Sequence, residues 1–365
     1  MQKAATILGT RPEILKLSPV LPLLDKEFIH ILIHTNQHYS YRMDRIFFKE
    51  LNLKEPDFNL DVGSGTHAEQ TSKMLIGIEK ILLQEKPDVV IVNGDTNTTM
   101  SGALAAAKLN IPLMHIEAGC RSFNKRMPEE INRIIADHCS SLLIAPDKAS
   151  YDNLIKEGIP KKSIFLTGNT AVESALRNRA YAKKSAILKK LDLKSKEYIL
   201  CTIHRAENTN NVDVFEGLIK ALNEISNQIK IIFPLHPRTK NIITENKINL
   251  NKNLKIIEPQ GYVDFLCLLE NALLVMSDSG GIQEEAAALS TPCLILRSET
   301  EWIYLTKAGK NILLGTNPKI IVEKTMHLLN NRKEIEKIRK IRVNLKKNAS
   351  QKIINILKER LENKK

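Results

Sequence analysis

Two sets of residues in this 365-residue chain could do chemistry: carboxylates that follow some apolar runs, and basic or glycine-rich turns that follow others. Asn93-Gly94-Asp95-Thr96-Asn97 closes one apolar run, and His115-Ile116-Glu117-Ala118-Gly119-Cys120-Arg121 closes another. Met127-Pro128-Glu129-Glu130-Ile131-Asn132-Arg133 opens a short helical segment with two further acids. Three carboxylates converging on one place suit paired acid and base work, because neighbouring charges push their pKa values apart. Acids are also favoured in a helix's first turn by the backbone dipole, so one of Glu129 and Glu130 is expected to do only that.

The basic turns have the complementary character. Gly9-Thr10-Arg11-Pro12-Glu13, with Lys16 one turn later, follows the first apolar run. Arg11 suits bidentate phosphate contact and Lys16 a point charge. His204-Arg205 and His236-Pro237-Arg238 close two runs in the second half. There, Ser277-Asp278-Ser279-Gly280-Gly281-Ile282-Gln283-Glu284-Glu285 leads from an apolar run into an Ala-rich helical stretch. Glycines at such a junction let a bulky anion approach the backbone, and a helix N-terminus offers unpaired N–H groups. Carboxylates one turn in would repel phosphate but could grip sugar hydroxyls, so a diphosphate carrying a ribose fits.

These turns need strands to place them. Ala4–Leu8, Ile29–Thr35, Val89–Asn93, Leu113–Glu117, Leu142–Ala145 and Ile164–Thr167 read as strands, with amphipathic helices between them. The alternation restarts at Tyr198–Ile203 and continues through Ile231–Pro234, Leu254–Ile257, Leu273–Met276, Pro292–Leu296 and Ile312–Leu314. Alternation of this kind implies parallel sheets covered on both faces. The expected fold is therefore α/β, with two Rossmann-like parallel-sheet domains facing a cleft. The first spans 1–175 and the second 176–349, with a hinge before or within the polar stretch Arg177–Lys196. The basic C-terminal helices, from roughly Lys319, are expected to pack back across that hinge, and the last, about 350–365, on the first domain. Motifs at strand carboxyl ends in both halves point to one interdomain active site.

Composition removes several classes. Hydrophobic content of 43% and charged content of 26% describe a soluble globular protein. No apolar run reaches the roughly 20 residues that span a bilayer, and the N-terminus lacks a signal peptide's pattern. A cytoplasmic protein with no membrane partner follows. The five scattered cysteines read as buried free thiols, with no metal site. The net charge of +13 lies mostly in Lys183–Lys196 and the C-terminal tail, with few aromatics, which argues against nucleic acid. Gly63-Ser64-Gly65-Thr66-His67-Ala68 imitates a dinucleotide fingerprint, but the run before it is a poor strand.

Taken in order, Gly9–Glu13, Gln37-His38, Gly94-Asp95-Thr96, His115–Gly119, Pro128–Arg133, Thr167–Thr170, His204-Arg205, His236-Pro237 and Asp278–Glu285 resemble the non-hydrolysing UDP-N-acetylglucosamine 2-epimerase family, over residues from about 5 to 315. The resemblance implies a GT-B fold, a UDP-sugar substrate, a homodimer, and neither metal nor nicotinamide cofactor. It implies interconversion of UDP-GlcNAc and UDP-ManNAc by expulsion of UDP from C1, a glycal intermediate, and re-addition after protonation of the other face. By resemblance, Asp95, Glu117 and Glu129 are the acid/base candidates, and His204 assists the departing phosphate. Arg11 and Lys16 would steady charge, Arg205 and His236 would bind the substrate, and Ser279, Gly280 and Gly281 would hold the diphosphate. Glu285 would meet the ribose, and Phe265 would stack on uracil.

The chain also departs from the pattern. Thr300-Glu301-Trp302-Ile303-Tyr304 stands where well-known members carry Thr-Glu-Arg-Pro-Glu, and Phe123–Met127 is a shortened stretch. Both resemble a branch acting on UDP-2,3-diacetamido glucuronate sugars, for which Trp302 and the basic residues near Arg121–Arg126 would meet a carboxylate. Glu69-Gln70 replaces the Arg-Gln pair of allosterically regulated bacterial members, leaving Gln37 and Gln70 as regulatory candidates. A hydrolysing epimerase, a GT-B glycosyltransferase and a non-catalytic UDP-sugar sensor are further alternatives.

Overall fold

The computed structural model describes residues 1–37, 41–235, 237–343 and 348–362. Its contacts divide the chain into two units, Met1–Ser174 with Leu345–Lys365, and Ala175–Asn344. The border falls inside the helix Thr170–Ala182, ahead of most of the polar stretch.

The first unit is built on seven strands: β1 (Lys3–Leu8), β2 (Ile29–His34), β3 (Phe58–Asn59), β4 (Val89–Asn93), β5 (Leu113–Ile116), β6 (Leu142–Ala145) and β7 (Ile164–Leu166). All pair in parallel, in the order β3-β2-β1-β4-β5-β6-β7. Every residue of β4, Val-Val-Ile-Val-Asn, is buried, as a central strand covered on both faces requires. The run read as too polar for a strand does supply β3. It is a two-residue edge strand, paired through Ile33 with Phe58 and His34 with Asn59, and too short to leave a periodic signal.

The second unit repeats the plan with β8 (Tyr198–Thr202), β9 (Lys230–Pro234), β10 (Leu254–Ile257), β11 (Leu274–Ser277), β12 (Cys293–Ile295) and β13 (Asn311–Leu313). The order is β10-β9-β8-β11-β12-β13, again all parallel. Its core gathers Ile199, Cys201, Phe215, Phe233, Met276 and Leu294.

The C-terminal helices divide between the two units. Pro318–Asn330 and Arg332–Lys340 stay with the second unit, where Ile321, Leu328, Ile335 and Ile338 join its core. Only Ala349–Glu362 packs on the first unit. It buries Ile353, Ile354 and Leu357, while Ser350 donates to Glu173 and Lys358 pairs with Glu27. Among the described residues no helix is long and apolar enough to cross a membrane, and no three His, Cys, Asp or Glu side chains gather as a metal site.

In each sheet the strand order reverses once, between β1 and β4 in the first unit and between β8 and β11 in the second. Ligands in open α/β sheets bind beyond the strand carboxyl ends at such reversals.

Candidate active site

The first unit's reversal is flanked by the turns after β1 and β4. Leaving β1, the chain enters the helix Arg11–Leu17 with Pro12 in its first turn, where proline's missing N–H costs nothing. Glu13 turns back beneath that start. Its Oε2 accepts from the Gly9 amide and the Thr10 hydroxyl, both at 2.9 Å, and its Oε1 from the hydroxyls of Thr96 at 2.8 Å and Thr99 at 3.2 Å. Glu13 is 2% exposed, and burial pushes its carboxyl up to about 7, although all four hydrogen bonds pull the other way. One side chain thus ties the Arg11 turn to the Asp95 turn.

Asp95 follows Gly94, whose φ is +76°, and precedes Thr96, the N-cap of the helix Asn97–Lys108. Its carboxylate pairs with Arg133, and its backbone carbonyl accepts from the Asn132 amide at 2.9 Å. Arg133 also holds Glu130 at 2.8 Å. Glu117, at the end of the neighbouring β5, is buried and takes Lys16 Nζ at 2.6 Å. Burial raises the Glu117 pKa, Lys16 opposes that, and the charge of Asp95 adds to it. The site therefore holds two carboxylates on adjacent strand ends, each with its own cation.

Glu130 accepts from the amides of Ser122 and Phe123, at 3.0 and 2.9 Å, as well as from Arg133. Of the two helix-opening acids it is the one absorbed in holding a loop, and Glu129 is half-buried in the same first turn. Arg11 lies over the Phe47 ring, 4.9 Å from its centroid.

In the second unit, Asp278 follows β11 and is wholly buried. It accepts from the backbone amides of His204 and Arg205, at 3.0 and 2.9 Å, and from the Asn208 amide at 3.0 Å. Asp278 thereby draws the turn after β8 against the turn after β11. The His204 ring, with 46% of its side chain exposed, stands 3.4 Å from the same carboxylate. Ser279 is the N-cap of the helix Gly280–Ala288 and uses no side-chain bond for it. The two glycines differ. A Cβ on Gly281 would meet open space, whereas one on Gly280 would lie 2.1 Å from Glu301 Oε1. Glu301 is in turn held by Arg297 at 3.0 Å.

The family profile for UDP-N-acetylglucosamine 2-epimerase matches residues 24–358. The chain belongs to that family. It is 51% identical over 332 residues to the UDP-N-acetylglucosamine 2-epimerase of Methanococcus maripaludis, covering 88% of this chain and 90% of that one. It is 42% identical over 327 residues to the UDP-2,3-diacetamido-2,3-dideoxy-D-glucuronate 2-epimerase of Pseudomonas aeruginosa, with the same coverage of 88% and 90%. The crystal structure of the Methanocaldococcus jannaschii UDP-GlcNAc 2-epimerase in complex with UDP-GlcNAc and UDP superposes with a TM-score of 0.91 at 46% identity, covering 98% of this chain and all 100% of that one. The architecture of this epimerase-family chain is accordingly GT-B.

Phe265 is 6% exposed within the helix Tyr262–Asn271. Trp302 is 1% exposed and Arg121 2%, whereas Lys125 and Arg126, also named for the modified-sugar branch, are exposed. Glu285 is buried one turn into its helix. Glu69 closes a capping box with Thr66 at the start of the helix His67–Glu85. Gln70 donates to the carbonyls of Gln37 and Gly63, at 3.1 and 3.0 Å, so both regulatory candidates are engaged in joining loops. His236 and His38 lie outside the described residues.

The sequence reading missed Glu13, Arg133 and Asp278 as organisers of the site. All three lay inside quoted motifs, and an acid or arginine sharing a motif with candidate site residues was the available signal.

Proposed function

We propose that this epimerase-family chain interconverts UDP-GlcNAc and UDP-ManNAc by elimination and re-addition of UDP. The hydrogen at sugar C2 is not adjacent to a carbonyl, so its direct removal would be too slow. A carboxylate takes the C2 proton, the C2–H electron pair forms the C1=C2 bond, and the C1–O bond breaks with its electron pair leaving on the diphosphate. A second acid protonates C2 from the opposite face as UDP returns to C1.

The observation that carries this reading is the pair of differently held carboxylates at the ends of β4 and β5. Asp95 is matched with Arg133, and the buried Glu117, its pKa raised, is matched with Lys16. Groups so separated can serve as base and acid in one cycle. Glu129 is the third candidate. In the second unit, the N-terminus of the helix Gly280–Ala288, with Ser279 and Gly281 at its opening, would take the diphosphate. His204 and Arg205 would assist its departure, Arg11 would contribute a further positive charge, and Glu285 would approach the ribose.

The same reading places the enzyme in the cytoplasm, feeding surface-polysaccharide synthesis as a homodimer. Ile76 and Leu83, 69% and 56% exposed on the helix His67–Glu85, are apolar surface that a second copy would cover.

The test is incubation with UDP-GlcNAc in D2O, followed by proton NMR. Deuterium at C2 together with UDP-ManNAc is the expected result. Binding of UDP without exchange at C2 would remove the assignment.

A further inference from the structure

Glu117 has a φ of +73°, a left-handed conformation that costs a residue with a Cβ about 1 kcal/mol or more. Such strain persists only where the surroundings impose it. Here the amides of Glu117 and Ala118 both donate to the Ile144 carbonyl at 3.1 Å, which fixes the start of the turn on β6. The end of the turn is fixed elsewhere. The Gly119 amide donates to Asp137 Oδ2 at 3.0 Å.

Asp137 sits on the helix Pro128–Cys139 and has no exposed surface. Its other oxygen lies 2.7 Å from His115 Nδ1, and the far nitrogen of that ring, Nε2, lies 2.8 Å from the Gly94 carbonyl. A carbonyl only accepts, so Nε2 donates to it. Gly94 is the residue before Asp95. One buried carboxylate therefore holds both turns, directly at the residue two beyond Glu117 and through the His115 ring at the residue before Asp95. Arg121 compensates its charge, with Nη2 2.6 Å from both Asp137 and Glu157, Nε 2.7 Å from Glu157, and Nη1 donating to the Cys120 carbonyl at 2.8 Å. Burial alone would raise the Asp137 pKa, and His115 and Arg121 together bring it below the ordinary value.

We propose that Asp137 is a positioning residue for the epimerisation, setting the spacing of Asp95 and Glu117 through Gly119 and through His115 to Gly94. It touches no reacting atom. It acts by fixing where two carboxylates stand relative to one C2–H bond, and a misplacement of about 1 Å at such a site can cost about 100-fold in rate. The inference rests on the epimerase reading above.

The experiment compares the wild-type enzyme with Asp137→Asn, His115→Asn and His115→Gln, using C2 deuterium entry, UDP-ManNAc formation, and UDP binding by calorimetry. Gly119 and Arg121 both use Oδ2 and His115 uses Oδ1, so Asp137→Asn removes the charge facing Arg121 and sets an NH2 donor where Oδ1 faces His115 Nδ1; either the ring gives up an Nδ1 proton or the amide turns and Gly119 and Arg121 lose their acceptor. The kcat of this variant is expected to fall about 100-fold, with the UDP dissociation constant within about 2-fold of wild type. At position 115, Gln can place a donor near the Nε2 position and Asn cannot reach it. His115→Gln should therefore retain at least about 10-fold more activity than His115→Asn, compared at a temperature where thermal unfolding shows both variants fully folded, so that the larger cavity left by Asn does not set the ranking. A folded Asp137→Asn enzyme with kcat within about 3-fold of wild type would overturn the proposal. If that variant does not fold, equal activities of the two His115 variants would overturn it instead. Absence of exchange in the wild type would remove the epimerase reading, and this proposal with it.

Discussion

Replacing Glu13 by Gln tests whether a buried carboxyl beneath the Arg11 turn is held near neutrality. The carboxyl titrates at about 7 in the folded chain against 4.5 as the ordinary value. The folded state binds this proton more tightly than the unfolded state. Between the two values the unfolded chain is ionised while the native carboxyl is protonated, so this group's contribution to stability is present at low pH and lost as pH rises toward 7. Linkage over that shift gives about 2–3 kcal/mol more stability at pH 5 than at pH 8 from this one group. Urea unfolding of wild type and Glu13→Gln, followed by circular dichroism at steps from pH 5 to 8, isolates the effect, because every other titrating group is common to both. The free-energy difference between the two proteins should move by about 2–3 kcal/mol across the range, in favour of wild type at the acid end. Curves that stay parallel within about 0.5 kcal/mol would show that the four hydrogen bonds outweigh burial and that Glu13 is an ordinary ionised carboxylate.

Three further outcomes are expected. Lys16→Met leaves Glu117 buried without its 2.6 Å partner; the acid limb of the kcat–pH profile should move to higher pH, and an unmoved limb would separate Lys16 from the acid chemistry. Gly280→Ala puts a Cβ 2.1 Å from Glu301 Oε1, so the Glu301 carboxylate, held on Arg297 through its other oxygen, must shift at the helix start; UDP affinity by calorimetry should weaken about 10-fold, and unchanged affinity would remove this helix start from the diphosphate site. Gly119→Ala combines a φ of +81° with a Cβ 2.2 Å from the Ser150 carbonyl, a backbone atom that cannot swing away; thermal unfolding should show a loss of about 3 kcal/mol or more, and a near-neutral result would mean that the turn relaxes freely.

The sequence by itself determined the strand–helix alternation, its restart in the second half, and the turns that carry reactive groups. These are local properties. Val89–Asn93 is apolar because both its faces are covered, and Pro12 and Pro128 mark helix starts because proline tolerates the first turn. The edge strand Phe58–Asn59 escaped because two residues hold no periodicity, and it exists only because β2 offers a free edge.

Tertiary structure alone decided which charge meets which. Lys16 reaches Glu117 across 101 residues, Arg133 reaches Asp95 across 38, and Asp278 gathers the His204 turn from 74 away. Each pairing follows from strand order, from β1 lying beside β4, β4 beside β5, and β8 beside β11. That order is set by how whole elements pack, and residue spacing along the chain does not encode it. Burial was decided the same way. Phe265, Trp302 and Arg121 have types that suggest contact with a ligand, and the fold turned each inward because packing partners and counter-charges lay there to receive it.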